Sequence, residues 1–425
     1  MDLRSEMGIQ EVSQNRGSEI SVVVLSSGYF SGQNREMSVA IQQRPMAAPG
    51  TRCLLLQLEP TPYILPRAMY VYADPELHTD LIWTYVNSSQ DWGKDADIGK
   101  LPVLLDRGIS PMRRVARVCK LAWKILRGRY TVAHLAGWGH WVVRVAIICC
   151  KLRGVPFSVE SDTQLSHDLS GWREWLKGKI YPVILDWPAV VIPGGKRQAN
   201  LFRHYGVSED KISISHMTTD IRKINRILTL PRDEFRASVG IGADNIVVLY
   251  VGRLEPYKGV AVLLEGFEKA LKQNRNLMLA VIGDGSMMQD VKNFRDRLGL
   301  SRVHIAGRQS VESVTQWMRS SEMLVLPSLH EQWGMVVNEA MTCGLPVIVS
   351  DACGCADDLV ENGRTGFVFP SGDLEEFAAR VLQLAADSSK REQMGLEGQR
   401  LIEPWVIERQ AETIRSALVR MSYSK

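Results

Sequence analysis

The chain has little that would carry it into or across a membrane. No run in its 425 residues reaches ~18 uninterrupted apolar positions, so no membrane-spanning helix is expected. Met1 to Gly17 is polar and mixed in charge, without the apolar core of a secretory signal, and reads as a frayed tail. Cysteine is scarce and odd in number, seven in all. Cys353-Gly-Cys355 is too tight for a usual zinc pair, and no second ligand pair follows it. Reduced thiols in the cytoplasm are therefore expected. Net charge is small, +4, which argues against nucleic acid as the main partner. What is present is an ordinary globular composition. The length calls for about two or three domains, each able to bury its own core.

The most informative stretch is 327–346. Before it, Met323–Leu326 is a short apolar run that Pro327 stops; after it, Val347–Val349 is another. Between them lie a loop and a helix of about ten residues. Met335, Val336, Ala340 and Met341 make that helix mostly apolar, Gly344 marks its end and Pro346 prevents continuation. Strand, loop, helix and strand in this order form the unit of a parallel sheet. Glu331 lies in the loop, at a strand's carboxyl end, where open α/β sheets bind ligands. Glu339 lies inside the helix, where a carboxylate is expensive to bury without a partner. A helix N-terminus near Gly334 offers backbone N–H groups to an anion. The stretch reads as a phosphate seat with an acid on each side, although two solvated surface acids fit the same spacing.

The second half, from residue 226, repeats the rhythm. Leu228–Asp244 looks like a polar hinge with some helix, containing Pro231. Ile246–Val251 is a buried-strand pattern leading into Gly252-Arg253 and then Lys258-Gly259, before a helix over Val260–Leu271. An arginine fork and a lysine point charge in one strand-to-helix loop suit a diphosphate. The Walker A order is absent. Leu277–Ile282 ends in Gly283-Asp284-Gly285, and Val303–Ala306 in Gly307-Arg308, each glycine allowing close backbone approach. Gly366–Phe369 and a helix from Leu374 continue the pattern, with no solenoid period.

In the first half, Ile20–Leu25 ends in Ser26-Ser27-Gly28 and reads as a first strand. Cys53–Leu58, Leu101–Leu105, Val132–Leu135, Val155–Val159 and Ala189–Ile192 are further strand candidates, separated by several helical patterns. A first doubly wound domain is expected to about residue 225. His134-Leu-Ala-Gly-Trp-Gly-His-Trp141 and Glu160-Ser-Asp162 follow strands, where site residues are expected; either histidine equally suits a structural role. Pro193-Gly-Gly-Lys-Arg197 opens a helix and reads as a turn, an acceptor contact or a closure against the other half. Pro111–Arg129 is a basic helix without a single acid. Met112, Val115, Cys119, Ala122 and Leu126 fall on one face and are expected to pack on the sheet. The basic remainder is either solvated or meets an anionic bilayer, where each Lys or Arg contributes ~1 kcal/mol.

Taken together these residues resemble the retaining nucleotide-sugar glycosyltransferases of family 4, glycosyl transferases group 1. The likeness rests on Gly252-Arg253 with Lys258-Gly259, on Ile282–Gly285, and on Pro327-Ser328 before Glu331-x7-Glu339-Ala-Met. Gly344-Leu-Pro-Val347 and Gly363-x-Thr-Gly366 extend it. The resemblance implies an α/β GT-B fold, two Rossmann-like doubly wound domains facing a cleft. Residues 1–225 would bind the acceptor and 226–404 the nucleotide sugar, with a final helix within 405–425 crossing back. By this likeness Arg253 and Lys258, in the loop opened by Gly252, hold the diphosphate. Glu331 contacts the sugar near the reacting carbon, and these three are the catalytic candidates. Gly334, Met335 and Val336 offer N–H groups to the phosphates, Glu339 holds the ribose, and Gly283 and Arg308 border the base. Gly28, Trp138, His140 and Asp162 fall on the acceptor side. The sequence departs from the family at Ser26-Ser27-Gly28, where Gly-Gly is common, and at Ala136, where a second histidine is usual. Trp333 also stands where Phe is common. The implied activity is transfer of a sugar to a lipid-linked or polysaccharide acceptor in cell-surface glycan synthesis. It would proceed without a metal cofactor, in the cytoplasm and peripherally on the inner membrane face. A GT-B epimerase, a soluble glucan or disaccharide synthase, and a non-catalytic nucleotide-sugar-binding protein are the alternatives.

Overall fold

The computed structural model describes residues 9–11, 23–25, 45–85, 102–105, 108–165, 171–300 and 302–424. Strands β1 (Ile9–Glu11) and β2 (Val23–Leu25) pair antiparallel as a two-stranded sheet of their own. This corrects two expectations. Residues 9–11 are a strand within the supposed tail, and the strand expected over Ile20–Leu25 does not join the parallel sheet. Two short segments with a short connection satisfy each other's backbone groups locally.

The first parallel sheet holds β3 (Cys53–Gln57), β4 (Asp80–Trp83), β5 (Val132–Ala136), β6 (Phe157–Ser161) and β7 (Val190–Pro193) in the order β4-β3-β5-β6-β7. The strand expected over Leu101–Leu105 is only a bridge from Val103 to Trp83, and the unexpected β4 forms the edge. Helix α1 (Leu65–Tyr72) covers one face. Helices α2 (Pro111–Leu126) and α3 (Trp141–Arg153) cover the other. Helix α4 (Trp172–Leu185) joins β6 to β7, and α5 (Lys196–His204) follows β7. In α2 the buried residues are Val118, Leu121 and Ile125, whereas Met112, Val115, Cys119 and Leu126 are exposed. The expected packing face is therefore wrong: the helix carries two apolar stripes, and the bulkier branched one fills the sheet.

The second sheet is parallel throughout, in the order β10-β9-β8-β11-β12-β13. Its strands are β8 (Ile246–Val251), β9 (Leu277–Ile282), β10 (Val303–Gly307), β11 (Met323–Leu326), β12 (Val347–Ser350) and β13 (Gly366–Phe369). Its central strands are apolar along their whole length because both faces are covered. Helices α6 (Ile221–Arg226) and α7 (Arg232–Ser238) precede the sheet. Phe235 and Ile241 pack into its core, so the segment read as a polar hinge is anchored, and Ile221 just before it packs there too. Buried Arg236 pairs with Glu322, 2.6 Å away, and fixes α7 to the strand side. Between strands run α8 (Val260–Gln273), α9 (Met288–Leu298), α10 (Val311–Arg319), α11 (Met335–Thr342) and α12 (Ala356–Leu359). Then come α13 (Leu374–Ala386) and α14 (Ser388–Ile402). The last helix, α15 (Ile407–Ser422), leaves this half and packs Ala411, Ile414 and Leu418 with α1 and β3 of the first sheet. No helix among the described residues is long and apolar enough to cross a membrane.

Candidate active site

The site forms where the carboxyl ends of β8 and β11 come side by side. Pro256–Lys258 makes one tight turn, and Gly259 enters α8 with φ +69°. A Cβ on Gly259 would stand 1.8 Å from the Pro327 carbonyl oxygen, so only glycine allows the two loops to touch. The backbone N–H groups of Leu329 and His330 donate to the Tyr257 carbonyl, at 2.9 and 3.1 Å. This docking brings Lys258 Nζ into an ion pair with Glu331 Oε2, both side chains largely buried. Arg253 and Lys258 lie 5.4 and 5.6 Å from the Tyr257 ring centroid, the two cations sharing one aromatic platform. Arg253 itself is exposed.

Gly252 and Gly283 are stacked backbone to backbone. A Cβ on Gly283 would fall 1.8 Å from the Gly252 carbonyl oxygen, and the Gly283 N–H donates to Gly307 at 2.9 Å. Arg308 is exposed just beyond Gly307. Gly334, at φ +104°, starts α11, whose first turn has neither an acid nor a side-chain cap. The N–H groups of Met335 and Val336 thus begin a helix directly beside Glu331: a Cβ on Gly334 would sit 3.6 Å from Glu331 Cγ. Trp333, which stands where Phe is common, is buried and donates its indole N–H to Asn338 Oδ1 at 2.9 Å. Cys353 and Cys355 are buried behind the loop, and burial pushes the Cys353 thiol up to about 12.

Glu339 lies farther along α11 and meets the first half, where Tyr63 donates its hydroxyl to Oε1 at 3.2 Å. Burial pushes the Glu339 carboxyl up to about 7, with the Tyr63 hydrogen bond opposing the shift. Tyr63 went unnoticed in the sequence; flanking Pro62 and Pro66, which mark the start of α1, were the available signal. Gln164 also crosses the cleft, its side-chain amide donating to the Glu331 carbonyl.

On the first sheet, Trp138 donates to Ser161 Oγ at 3.2 Å and meets the Tyr181 ring edge-on at 5.0 Å. His140 caps α3, its Nδ1 accepting the Val142 N–H at 3.3 Å. Asp162 is exposed just beyond β6, and Gly28 lies outside the described residues. Behind them is a cluster the sequence reading did not assemble. Arg67 pairs with Glu160, whose other oxygen meets His134 Nε2 at 3.3 Å, while His134 Nδ1 contacts Ser158 Oγ at 2.9 Å. Burial raises the Glu160 carboxyl, but the Arg67 charge and the His134 contact outweigh it and hold it at about 2. The Pro193–Arg197 loop does close against the other half. The Lys196 N–H donates to Asp358 at 2.9 Å, and Arg197 pairs with Asp357 at 2.7 Å.

Two parallel, doubly wound sheets facing a cleft, with glycine-rich strand ends gathered on one side, define a GT-B protein. Residues 231–401 match the family Glycosyl transferases group 1, so this stretch resembles that family. The chain is 35% identical over 164 residues to alpha-D-kanosaminyltransferase of Streptomyces kanamyceticus, covering 38% of this chain and 42% of that enzyme. It is 27% identical over 296 residues to D-inositol 3-phosphate glycosyltransferase of Paenarthrobacter aurescens, covering 66% and 70%. Against other inositol 3-phosphate glycosyltransferases the match spans about half of their length. Among solved structures, Anabaena Alr3699/HepE in complex with UDP superimposes with a TM-score of 0.67 at 20% identity, covering 86% of this chain and 98% of that one. The lipopolysaccharide outer core galactosyltransferase WaaB superimposes at 0.64 with 19% identity, covering 86% and 99%.

Proposed function

We propose that the protein is a retaining glycosyltransferase of family 4. It moves a sugar from a nucleotide-sugar donor to a lipid-linked or polysaccharide acceptor of cell-surface glycan synthesis, at the inner face of the membrane. The carrying observation is the Lys258–Glu331 pair beside Arg253 and under the α11 N-terminus. Departure of a nucleoside diphosphate builds negative charge on its phosphates. In this reading Arg253, Lys258 and the N–H groups of Met335 and Val336 face that charge and stabilise the transition state more than the ground state. Glu331 exchanges its bond to Lys258 for hydroxyls of the sugar and faces the cationic sugar carbon. Gly252 and Gly283 let the base approach the backbone, with Arg308 at the rim, and Glu339 accepts the ribose hydroxyls. No metal takes part in this reading, because the two side-chain cations supply the charge. Trp138, His140 and Asp162 line the acceptor side, and the basic helix α2 meets the anionic bilayer.

HepE is solved with UDP and with UDP-glucose, which makes uridine diphosphate sugars the first probes. A panel of nucleoside diphosphates and their sugars is read by thermal shift. Ligand at about a hundred times its Kd adds ~2.7 kcal/mol of stability. The stabilising sugar is then assayed for acceptor-dependent release of nucleoside diphosphate, with and without chelator. The expected result is stabilisation by one base class and chelator-resistant turnover with retained anomeric configuration. Glu331→Ala should bind the nucleotide and lose turnover. The reading fails if no member of the panel stabilises the protein.

A further inference from the structure

The exposed stripe of α2 does not stand alone. Helices α2, α3 and α4 each join consecutive parallel strands on the same side of the order β4-β3-β5-β6-β7, so right-handed crossovers place all three in one layer. Contacts agree with this. Trp138, in the loop before α3, meets Tyr181 of α4, and Lys151 near the end of α3 lies 5.7 Å from the Trp187 ring just past α4. Most of the exposed large apolar side chains among the described residues fall on these three helices. Met112 is 81% exposed, Leu152 75%, Trp172 70% and Trp175 67%. On α4 the exposed Trp172, Leu176, Ile180 and Val183 form one stripe. Monomer surfaces rarely gather apolar residues in this way without a partner.

We propose that the outer surface of this layer is an insertion face for an anionic bilayer. Its apolar and aromatic side chains enter the interface while its cations remain at headgroup level. Charge selects this occupant. Glu174 is the one acid in the sequences of the three helices, and Lys177 pairs with it at 2.5 Å. Arg113, Lys120, Arg127, Arg144 and Lys151 are all exposed on the same layer. A second copy would bring like charge against like, whereas an anionic leaflet complements it. Tryptophan with flanking Lys and Arg is the composition of a membrane interface.

The orientation has a consequence for substrate. Helices α3 and α4 begin at the carboxyl ends of β5 and β6, so Trp141, Trp172 and Trp175 lie at the cleft end of the layer. An amphiphilic acceptor can then keep its apolar tail in the bilayer and present its headgroup to the cleft. This last step rests on the glycosyltransferase reading; the insertion itself does not.

The test uses the full chain and sedimentation with vesicles of phosphatidylcholine alone or with about 30 mol % phosphatidylglycerol. Each is run near 0.1 M and near 1 M salt, where the screening length falls from about 10 to about 3 Å. Binding to anionic vesicles is expected, with a substantial fraction retained at high salt and tryptophan emission quenched by brominated lipid. Trp172→Ser/Trp175→Ser should lose the salt-resistant fraction and most of the quenching. Met112→Ser/Leu152→Ser should do the same more weakly, and Arg113→Gln/Lys120→Gln should lose only the preference for anionic lipid. Unchanged nucleotide stabilisation shows that each variant is folded. Lack of vesicle binding, full release at high salt without quenching, or burial of Trp172 and Trp175 in a dimer would each overturn the proposal. Vesicle binding by a protein that binds no nucleotide would sink the catalytic reading and leave the insertion face standing.

Discussion

Two carboxylates show how differently burial is resolved in this molecule. Among the described residues Glu339 has one donor, the Tyr63 hydroxyl, and its folded pKa is raised to about 7. The folded state therefore keeps a proton that the unfolded state releases near ~4.3, and stability falls as pH rises between those values. Ribose hydroxyls donating to this carboxylate favour its ionised form, so nucleotide binding should expel the proton. Calorimetry is expected to show nucleoside diphosphate affinity rising up to about tenfold between pH 6 and 8 beyond any change in Glu339→Gln. Equal pH dependence in both proteins would remove Glu339 from the ribose site. Glu160 is the opposite case, held at about 2 by Arg67 and His134 after burial has pushed it up. Its contribution is complete above ~4.3 and is lost only as pH falls through about 2. Glu160→Gln leaves Arg67 buried without a counter-charge, and urea unfolding at pH 7 should show a loss of about 3 kcal/mol.

At the level of elements, the strand ends set the site and their glycines set the strand ends. Gly259→Ala drives a Cβ into the Pro327 carbonyl at a backbone angle that disfavours any side chain. The turn must lift away from the 327–331 loop, separating Lys258 from Glu331. The expected cost is about 2 kcal/mol or more in unfolding, with turnover falling by at least as much as in Lys258→Ala. Near-normal turnover would show that the loops need not touch. The same glycines explain what was legible in the sequence. Apolar runs such as Ile246–Val251 and Leu277–Ile282, each closed by glycine, gave the strands of the second sheet almost to the residue. The first half gave less. Asp80–Trp83 is an edge strand of four residues beside His78 and Thr79, too short to stand out. Pro111–Leu126 has two apolar stripes, and spacing alone does not say which one the sheet takes. Contacts across the cleft, such as Tyr63 with Glu339, join residues distant in sequence and leave no local pattern.

The whole molecule is held together by two unlike kinds of contact. Helix α15 ties the end of the chain to the first sheet through a buried apolar face, and Arg415 pairs there with Asp74 at a bond the first half cannot make alone. Besides Met217, which packs on the second core, and the His216–Trp405 ring contact at 4.5 Å, the halves otherwise meet through polar groups: Lys196 and Arg197 with Asp358 and Asp357, and Gln198 with the Gln332 carbonyl at 2.6 Å. Water competes well for such bonds, so this contact is the one expected to open and close around a substrate, while α15 keeps the halves attached. Arg197→Glu reverses one side of the pair and sets it against Asp357. The open form should gain population without loss of either core. Small-angle scattering is expected to show a radius of gyration larger by ~1 Å than that of the natural protein, near ~22 Å for a compact chain of this length. The donor KM should rise several-fold with unfolding stability nearly unchanged, because the closed form binds donor and the variant must first restore it. If radius and KM both stay at the natural values, the contact at the start of α5 is a fixed seam and domain closure must be carried elsewhere.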